Sequence, residues 1–312
     1  MAVFAIARGI LLWAADRKTL KKLVVKMPVT KSVVKRFISG EKLDDAIGVI
    51  KDLKAKGIKT TIDFLGEFTD TVDQAYVVRD AYLELLQRVK DEGLADSVEV
   101  SIKLTALGLG LPNGQEIAYS VAESILKVAD ELGTTATVDM EDHTATDVTL
   151  AVVKRLREKY PRTGTVLQSY LYRTVDDCKE FNGKESRIRL CKGAYKEPAS
   201  VAYQSRDDID SSYLKCLQVL IEGEGRPMVA SHDPKIIEAA KKAFEESGRS
   251  RDTFEFQMLY GIRQDAQLEL ANAGYNMTVY VPYGVDWWGY FVRRLAEKPA
   301  NLKFFIRALF GK

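Results

Sequence analysis

Residues 227–281 read PMVASHDPKIIEAAKKAFEESGRSRDTFEFQMLYGIRQDAQLELANAGYNMTVYV. Short runs rich in β-branched and apolar residues occur three times in this stretch, at Pro227–Ser231, Phe254–Leu259 and Met277–Val281. Between them, apolar residues recur at i, i+3, i+4 and i+7 in Ile236–Glu246 and Gln264–Ala273. The short runs predict strands and the longer segments predict helices. Strands that alternate with helices in this way are typical of a parallel sheet with crossover helices.

The same alternation extends upstream. Five further runs predict strands at Thr60–Phe68, Val98–Leu104, Thr135–Met140, Thr165–Leu171 and Arg187–Cys191. Helical spacing recurs between several of them, at Ile117–Leu132, Val148–Lys159 and Tyr213–Glu222. Eight strands favour a closed (β/α)8 barrel of the TIM type over an open doubly wound sheet. No GxGxxG or GxxxxGK[ST] motif follows any of these runs, which weakens a Rossmann or P-loop interpretation.

The domain organisation is predicted to be simple, because no low-complexity linker divides the chain. Residues 17–59 have helical and charged character, with a second helix near Leu43–Lys56 that Gly57 closes. We therefore expect one domain over residues 1–312, with N-terminal helices at 1–59, the barrel at 60–300 and a C-terminal helix at 301–312.

Both termini are apolar enough to raise the question of a membrane. Met1–Ala15 is interrupted by Arg8 and lacks a preceding basic region, so it predicts a docked helix and not a signal peptide or a bilayer span. Asn301–Lys312 predicts a short basic amphipathic helix. Such a helix can dock on the barrel's flank or lie at a membrane surface.

Composition excludes several classes of protein. The 46 Lys and Arg residues against 44 Asp and Glu give a net charge of only +2, which does not indicate nucleic-acid binding. The 3 cysteines have no CxxC spacing, so neither a disulfide framework nor a zinc site is predicted, and a reducing cytosol fits best. With 2 histidines in 312 residues, we expect no histidine-rich metal centre.

Polar residues stand at the predicted carboxyl ends of the strands, where barrels of this type carry their active sites. They are Glu67, Lys103, Asp139, Gln168, Arg189 with Lys192, His232, Gln257 and Tyr280. Any one of them could be a rim residue without a role. A ring of them indicates a polar ligand at the barrel mouth, because an unpaired buried polar group costs roughly 2–7 kcal/mol.

An aromatic segment, Tyr280–Leu295, ends in the neighbouring residues Arg293 and Arg294. Its first part predicts a strand and a Pro/Gly turn, and its second part predicts a helix with Asp286 as N-cap. If that helix crosses the mouth, both arginines can reach one carboxylate, for which the guanidinium is well suited. The alternative is an amphipathic helix with two surface arginines.

Four motifs in order carry a family resemblance. They are RLCKGAY at 189–195, SHD at 231–233, EFQMLYG at 255–261 and the segment 280–295. Together they resemble proline dehydrogenase in its monofunctional bacterial form, from about Thr60 to Asn301. The resemblance implies a distorted (β/α)8 barrel with a helix over its mouth and non-covalently bound FAD. It also implies oxidation of L-proline to Δ1-pyrroline-5-carboxylate, with electrons passed to a membrane quinone.

The resemblance implies roles for residues that would meet proline. Arg293, Arg294 and Lys103 would hold the carboxylate, and an apolar wall around the ring would come from Tyr195, Leu190, Leu259, Tyr280 and Tyr290. For each tyrosine, ordinary core packing is an equal alternative. Asp139 would be catalytic, either as a base for the substrate amine or as the carboxylate that balances nearby positive charges. Glu67 would do a similar structural job.

A second set of residues would meet FAD. The resemblance puts Arg189 beside flavin N5, where a positive donor stabilises charge that builds up on reduction. Lys192, Gly193 and Ala194 would meet the phosphates. The isoalloxazine or the rest of the dinucleotide would be contacted by Met140, Gln168, Ser231 and His232. His143 is interpreted as structural. The chain departs from the family at Ser231, Asp233 and Cys191, where threonine, asparagine and valine are usual.

Two other classes of protein remain open at this point. A Schiff-base lyase on the same barrel would use Lys103 or Lys192 as its nucleophile. A non-catalytic amino-acid sensor would bind its ligand without a cofactor. Delivery of electrons to a quinone implies a cytoplasmic enzyme. If a terminal helix lies on the cell membrane, the enzyme would make peripheral contact with the inner face of that membrane.

Overall fold

A closed parallel barrel is the architecture of the computed structural model, which describes residues 36–66 and 69–297. Eight strands are hydrogen-bonded in sequence order, and the first pairs with the last from Lys59↔Thr278 to Phe64↔Tyr283. The predicted (β/α)8 fold is therefore confirmed. The predictions for Met1–Ala15, Glu67 and Asn301–Lys312 lie outside the described residues.

The strands agree with the predicted runs and are mostly shorter. They are β1 Lys59–Phe64, β2 Val98–Ile102, β3 Ala136–Val138, β4 Gly164–Gln168, β5 Arg187–Cys191, β6 Arg226–Ala230, β7 Glu255–Leu259 and β8 Met277–Tyr283. The predicted ends were wrong by two to four residues at β1 to β4, since Thr60–Phe68, Val98–Leu104, Thr135–Met140 and Thr165–Leu171 run past them. Residues beyond these strand ends, such as Leu104, Met140 and Leu171, are still apolar and buried.

Helices cover the outside of the barrel. Their bounds are α1 Leu43–Lys54, α2 Val72–Asp91, α3 Gly114–Glu131, α4 Thr146–Arg157, α5 Thr174–Phe181, α6 Arg206–Glu222, α7 Pro234–Ser247, α8 Gln264–Asn272 and α9 Trp288–Glu297. The prediction of Asp286 as N-cap of α9 was wrong by one residue. The helix begins at Trp288, and the carbonyl of Trp287 accepts the first helical hydrogen bond, from Phe291 N at 2.9 Å.

The barrel interior is polar, whereas barrels of this type are usually filled by branched apolar side chains. In β2 the apolar residues Val98, Val100 and Ile102 belong to the core between strands and helices. The alternate residues Glu99 and Ser101 contact side chains of other strands across the interior. A strand with one apolar and one polar face follows from the period of two along it.

Charged side chains of alternating sign run through this interior, and we call them the charge ladder. The successive nitrogen–oxygen contacts are Arg226–Glu255 at 3.0 Å, Glu255–Arg187 at 3.9 Å, Arg187–Glu99 at 2.5 Å, Glu99–Arg189 at 3.3 Å, Arg189–Asp139 at 2.6 Å, Asp139–Lys103 at 3.8 Å and Lys103–Asp63 at 2.5 Å. It leads from the start of β6 to the carboxyl ends of β1 and β2. Four positive and four negative groups balance, so the buried charges compensate one another.

The end of the charge ladder at the starts of the strands, around Glu255, predicts that the free energy of unfolding falls in acid. Burial alone would raise the pKa of Glu255, but Arg187 and Arg226 hold it at about 2, against an ordinary 4.5. The stability from this group is present above about pH 4.5 and is lost as the pH falls towards 2. In urea unfolding, the wild type should lose about 2 kcal/mol more than Glu255→Gln between about pH 5 and pH 3. Glu238→Gln, at an exposed site, is the control. Equal acid dependence in Glu255→Gln and wild type would contradict the assignment.

Candidate active site

Four of the residues predicted at strand ends converge at the barrel mouth. Tyr280 Oη donates to Asp139 Oδ2 at 2.8 Å, and Lys103 Nζ donates to Tyr280 Oη at 3.3 Å. Arg189 Nη1 donates to Asp139 Oδ1 at 2.6 Å. These contacts join side chains from β2, β3, β5 and β8 into one hydrogen-bonded group.

Arg189 is the centre of the group and is only 5% exposed. Its guanidinium donates to Gln257 Oε1 at 2.6 Å, Ser101 Oγ at 2.7 Å, Asp139 Oδ1 at 2.6 Å, Thr61 Oγ1 at 3.2 Å and Glu99 Oε1 at 3.3 Å. Because five acceptors from four strands surround it, the guanidinium has one orientation. Its positive charge is therefore fixed just below the mouth.

The carboxylate of Asp139 is likewise held by several hydrogen bonds, here as the acceptor. One oxygen accepts from Ser101 at 2.8 Å and from Arg189, and the other accepts from Tyr280. Lys103 lies 3.8 Å away. A carboxylate surrounded by these groups is well placed to balance their charge, which favours that interpretation of Asp139 over a role as base.

Sequence reasoning missed Asp63, which is 0% exposed and binds Lys103 Nζ through Oδ1 at 2.5 Å. Burial raises the pKa of Asp63, and Lys103 opposes that rise. Asp63 lies inside β1 and not after its end, so a search of strand ends passes over it. The sequence feature that could have identified Asp63 is a carboxylate on the polar face of a predicted strand. Glu99 in β2 has the same feature.

Helix α9 lies against the rim of the mouth. Its aromatic residues Trp288, Tyr290 and Phe291, together with Trp287 just before it, share one buried cluster with Phe37 and Leu65. Arg294 is 8% exposed, with its guanidinium carbon 5.1 Å from the centre of the Tyr290 ring. Burial raises the pKa of Cys191, at the end of β5, to about 12, and the charges of Arg189 and Arg294 act against that rise. Because the aromatic residues of α9 share this buried cluster with Leu65, just after β1, Arg294 lies at the mouth end of the barrel, whereas the side chain of Arg293 is outside the described residues.

Gln168 and Gly193 meet at Tyr170, beside the ends of β4 and β5. Tyr170 Oη lies 3.2 Å from Gln168 Oε1, and Gln168 Nε2 donates to the carbonyl of Glu141 at 2.8 Å. Gly193 has φ +116°, and a Cβ there would lie 2.5 Å from the Tyr170 ring. Packing against Tyr170 therefore requires glycine at this position. This reason is separate from the prediction that Gly193 lets the backbone approach a phosphate.

Lys192 lies between two carboxylates. Its Nζ is 2.5 Å from Asp210 Oδ1 and 2.8 Å from Asp233 Oδ2. Burial would raise the pKa of Asp233, but bonds from Lys192 and from the backbone of Lys235 keep it below the ordinary value. A phosphate at Lys192 would have to share it with both carboxylates.

The remaining predicted residues are spread around the mouth. His232 Nε2 accepts a hydrogen bond from Leu259 N at 2.9 Å, which links the ends of β6 and β7. Ser231 Oγ accepts from Asp233 N at 3.1 Å. Met140 is buried, Tyr195 and Leu259 are half-buried, and Ala194 is exposed. Leu190 is 1% exposed and belongs to the core between barrel and helices.

The opposite end of the barrel carries a cavity of about 200 Å³. It is lined by Lys59, Arg187 and Arg226 together with Glu99 and Glu255, at the starts of the strands. The predicted site residues are at the other end. Within residues 36–66 and 69–297, no three histidine, cysteine or acidic side chains gather as metal ligands. None of the helices in those ranges has the length and apolar character needed to cross a bilayer.

Comparison with known proteins identifies relatives. Residues 46–307 match the profile of the family described as proline dehydrogenase. Proline dehydrogenase 1 of Bacillus subtilis (strain 168) is 36% identical over 305 residues, which cover 98% of this chain and 99% of that protein. Proline dehydrogenase of Deinococcus radiodurans is 39% identical over 281 residues, covering 89% of this chain and 90% of that protein.

Solved structures resemble the fold. Proline utilization A of Bdellovibrio bacteriovorus, inactivated by N-propargylglycine, superposes with a TM-score of 0.77 at 26% identity over 85% of this chain. Proline utilization A of Corynebacterium freiburgense gives a TM-score of 0.74 at 20% identity over 96% of this chain. The chain spans only 32% and 34% of those longer proteins.

Proposed function

The chain belongs to the proline dehydrogenase family, and on that premise we propose that it oxidises L-proline to Δ1-pyrroline-5-carboxylate with FAD as hydride acceptor and a quinone as final electron acceptor. Family membership makes it an oxidoreductase of proline catabolism. The identity of the flavin, the hydride transfer from ring carbon C5 and the quinone are the parts we propose.

The observation that carries the proposal is the group of Lys103, Asp139, Arg189 and Tyr280 at the mouth, with α9, which carries Arg294, packed at the same end of the barrel. A proline carboxylate needs donors in a fixed place, and its apolar ring needs cover. The Lys103 ammonium has three donors, so it can keep Asp63 and Tyr280 and still bind a carboxylate. Arg294 adds a planar fork for the same group.

The residues on the other side of the mouth fit FAD. Gln168, Lys192 and Gly193 come together around Tyr170 and offer an amide, a cation and a backbone without a Cβ. When bound, FAD supplies the hydride acceptor. Lys192 would meet its phosphates with Gly193 and Ala194, while Met140, Gln168, Ser231 and His232 would contact the rest. Arg189 would hold a positive charge below flavin N5, and proline would be oriented by Arg293, Arg294 and Lys103.

The partner that receives the electrons is also part of the proposal. A quinone in the cell membrane would accept them from a cytoplasmic enzyme in peripheral contact with the inner face. The terminal helices expected to make that contact, Met1–Ala15 and Asn301–Lys312, lie outside the described residues. A flotation assay with vesicles is the direct test of contact.

The lyase and the sensor are set aside. A lysine nucleophile needs a nitrogen that is free to attack a carbonyl, whereas Lys103 Nζ is bound to Asp63 and Lys192 Nζ to both Asp210 and Asp233. A sensor without turnover does not agree with an enzyme family that matches most of the chain.

The test is a visible spectrum of the purified protein before and after anaerobic addition of L-proline. We expect a yellow, flavin-type spectrum that bleaches with proline and returns when a quinone is added. A flavin spectrum that ignores proline would contradict the substrate. A colourless protein that takes up no added FAD would contradict the cofactor.

A further inference from the structure

The loop between β5 and α6, residues 192–205, carries four of the predicted ligand-binding residues, Lys192 to Tyr195. Backbone hydrogen bonds tie both of its ends to the segment after β4. Tyr170 N donates to the carbonyl of Lys192 at 2.9 Å, and Tyr172 N donates to the carbonyl of Val201 at 3.0 Å. The middle of the loop is mostly exposed, since Lys196, Pro198, Ala199 and Ser200 all face solvent.

Glu197 is the exception in the middle of this loop, because its side chain is only 3% exposed. Oε1 accepts from the backbone N–H of His143 at 3.0 Å and from Tyr170 Oη at 3.3 Å. The other oxygen contacts His143 Nδ1. His143 follows β3, so this one carboxylate links the loop after β5 to the loop after β3. We call the Glu197–His143 contact the loop anchor.

Tyr170 connects the loop anchor to the predicted cofactor site. The same hydroxyl that donates to Glu197 lies 3.2 Å from Gln168 Oε1, and the ring fills the space beside Gly193. Burial raises the pKa of Tyr170, and the charge of Glu197 adds to that rise. The hydroxyl therefore stays a donor. Movement of Glu197 would release Tyr170, and with it the positions of Gln168 and Gly193.

We propose that Glu197 and His143 are positioning residues, which hold the loop after β5 in the shape that binds FAD. The inference rests on the proposed function, because it takes FAD as the ligand of Lys192 to Ala194. Neither residue needs to touch the cofactor. The anchor acts through Tyr170 on Gln168 and Gly193, and through the chain on Lys192 and Tyr195.

The first experiment measures the FAD dissociation constant of apoprotein by titration, with His143→Ala, Glu197→Ala and Glu197→Gln. We expect both alanine variants to bind FAD about tenfold or more weakly, while the thermal midpoint of the His143→Ala apoprotein changes little. Glu197→Gln keeps an acceptor for Tyr170 and for His143 N, so we expect it to stay within about threefold of wild type. His143 has a side chain 34% exposed and is the variant that should fold if Glu197→Ala does not.

Glu123→Ala is the matched control. Glu123 also accepts from a tyrosine hydroxyl, Tyr119 at 3.2 Å, and contacts the basic residue Lys159, but it lies on the outer helix α3. It should bind FAD as wild type does. Wild-type FAD affinity in both His143→Ala and Glu197→Ala would overturn the inference. So would a loss of affinity that merely tracks a loss of thermal stability.

A second readout needs no cofactor, so it separates this inference from the proposed function. Lys196 is exposed next to the anchor and is a site for trypsin. In apoprotein, His143→Ala should speed cleavage after Lys196 several-fold without a change in sequence at that bond. An unchanged rate would overturn the inference. Failure of the wild type to bind FAD, together with the expected change in cleavage, would overturn the proposed function and leave only the hold of the loop anchor on the loop.

Discussion

Replacing Arg294 with glutamine is expected to raise the KM for L-proline about a hundredfold. Arg294 lies on α9, is only 8% exposed and stacks on Tyr290, which belongs to the buried cluster that α9 forms with Leu65 at the mouth. Hydrogen bonds to a charged group contribute about 1.5–3 kcal/mol each, and a loss of about 3 kcal/mol corresponds to roughly a hundredfold. The guanidinium would bind the carboxylate in the ground state and in the transition state alike. The loss should therefore appear mainly in KM, with kcat falling less.

The planar fork and the charge of Arg294 can be separated. Arg294→Lys keeps the charge without bidentate geometry, so its KM should lie between those of wild type and Arg294→Gln. Arg155→Gln is the matched control, since Arg155 also stacks on a tyrosine, at 3.7 Å from the Tyr119 ring centre, on the outer surface. A KM for Arg294→Gln within twofold of wild type would place Arg294 outside the substrate site.

The fold was predictable because its pattern is local. Strands with helices between them follow from the period of apolar residues, and eight of them close a barrel. The ends of strands were less predictable. Leu104 and Met140 follow β2 and β3 and are buried at the mouth, at 0% and 7% exposure, so the apolar run does not stop where the sheet does.

The site was most predictable where it follows strand ends. Lys103 and Asp139 directly follow β2 and β3, whereas Tyr280 lies inside β8, which continues to Tyr283, and the structure joins all three through hydrogen bonds. The sequence patterns did not identify Asp63 and Glu99 as site residues. Their importance comes from contacts across the barrel, and these depend on the stagger of strands that are far apart in the sequence. The carboxylates around Lys192 come from α6 and from the start of α7, and no local spacing reveals them.

Replacing Arg189 with methionine is expected to destabilise the fold by about 3 kcal/mol or more and to abolish bleaching by proline. Methionine fills similar space but leaves Asp139 and Glu99 without the cation between them. Removal of one partner from a buried ion pair typically costs about 3–5 kcal/mol. Glu99 keeps Arg187 and Asp139 keeps Lys103, which puts the expected cost at the lower end. Urea unfolding at neutral pH measures it.

A double-mutant cycle with Glu99→Gln shows whether the charge ladder acts as one unit. In wild type, Glu99→Gln removes the negative charge between Arg187 and Arg189, which leaves two buried cations facing an amide. In the Arg189→Met background only Arg187 is left in that position, so the same change should cost at least about 1 kcal/mol less. Residues that share no contact add within about 0.5 kcal/mol, and Arg189→Met with the exposed Glu238→Gln provides that comparison. If Arg189→Met and Glu99→Gln were also additive, each ladder contact would be independent. The polar interior would then stabilise the barrel pair by pair, and Arg189 would be held by Asp139, Ser101, Gln257 and Thr61 without help from the rest of the charge ladder.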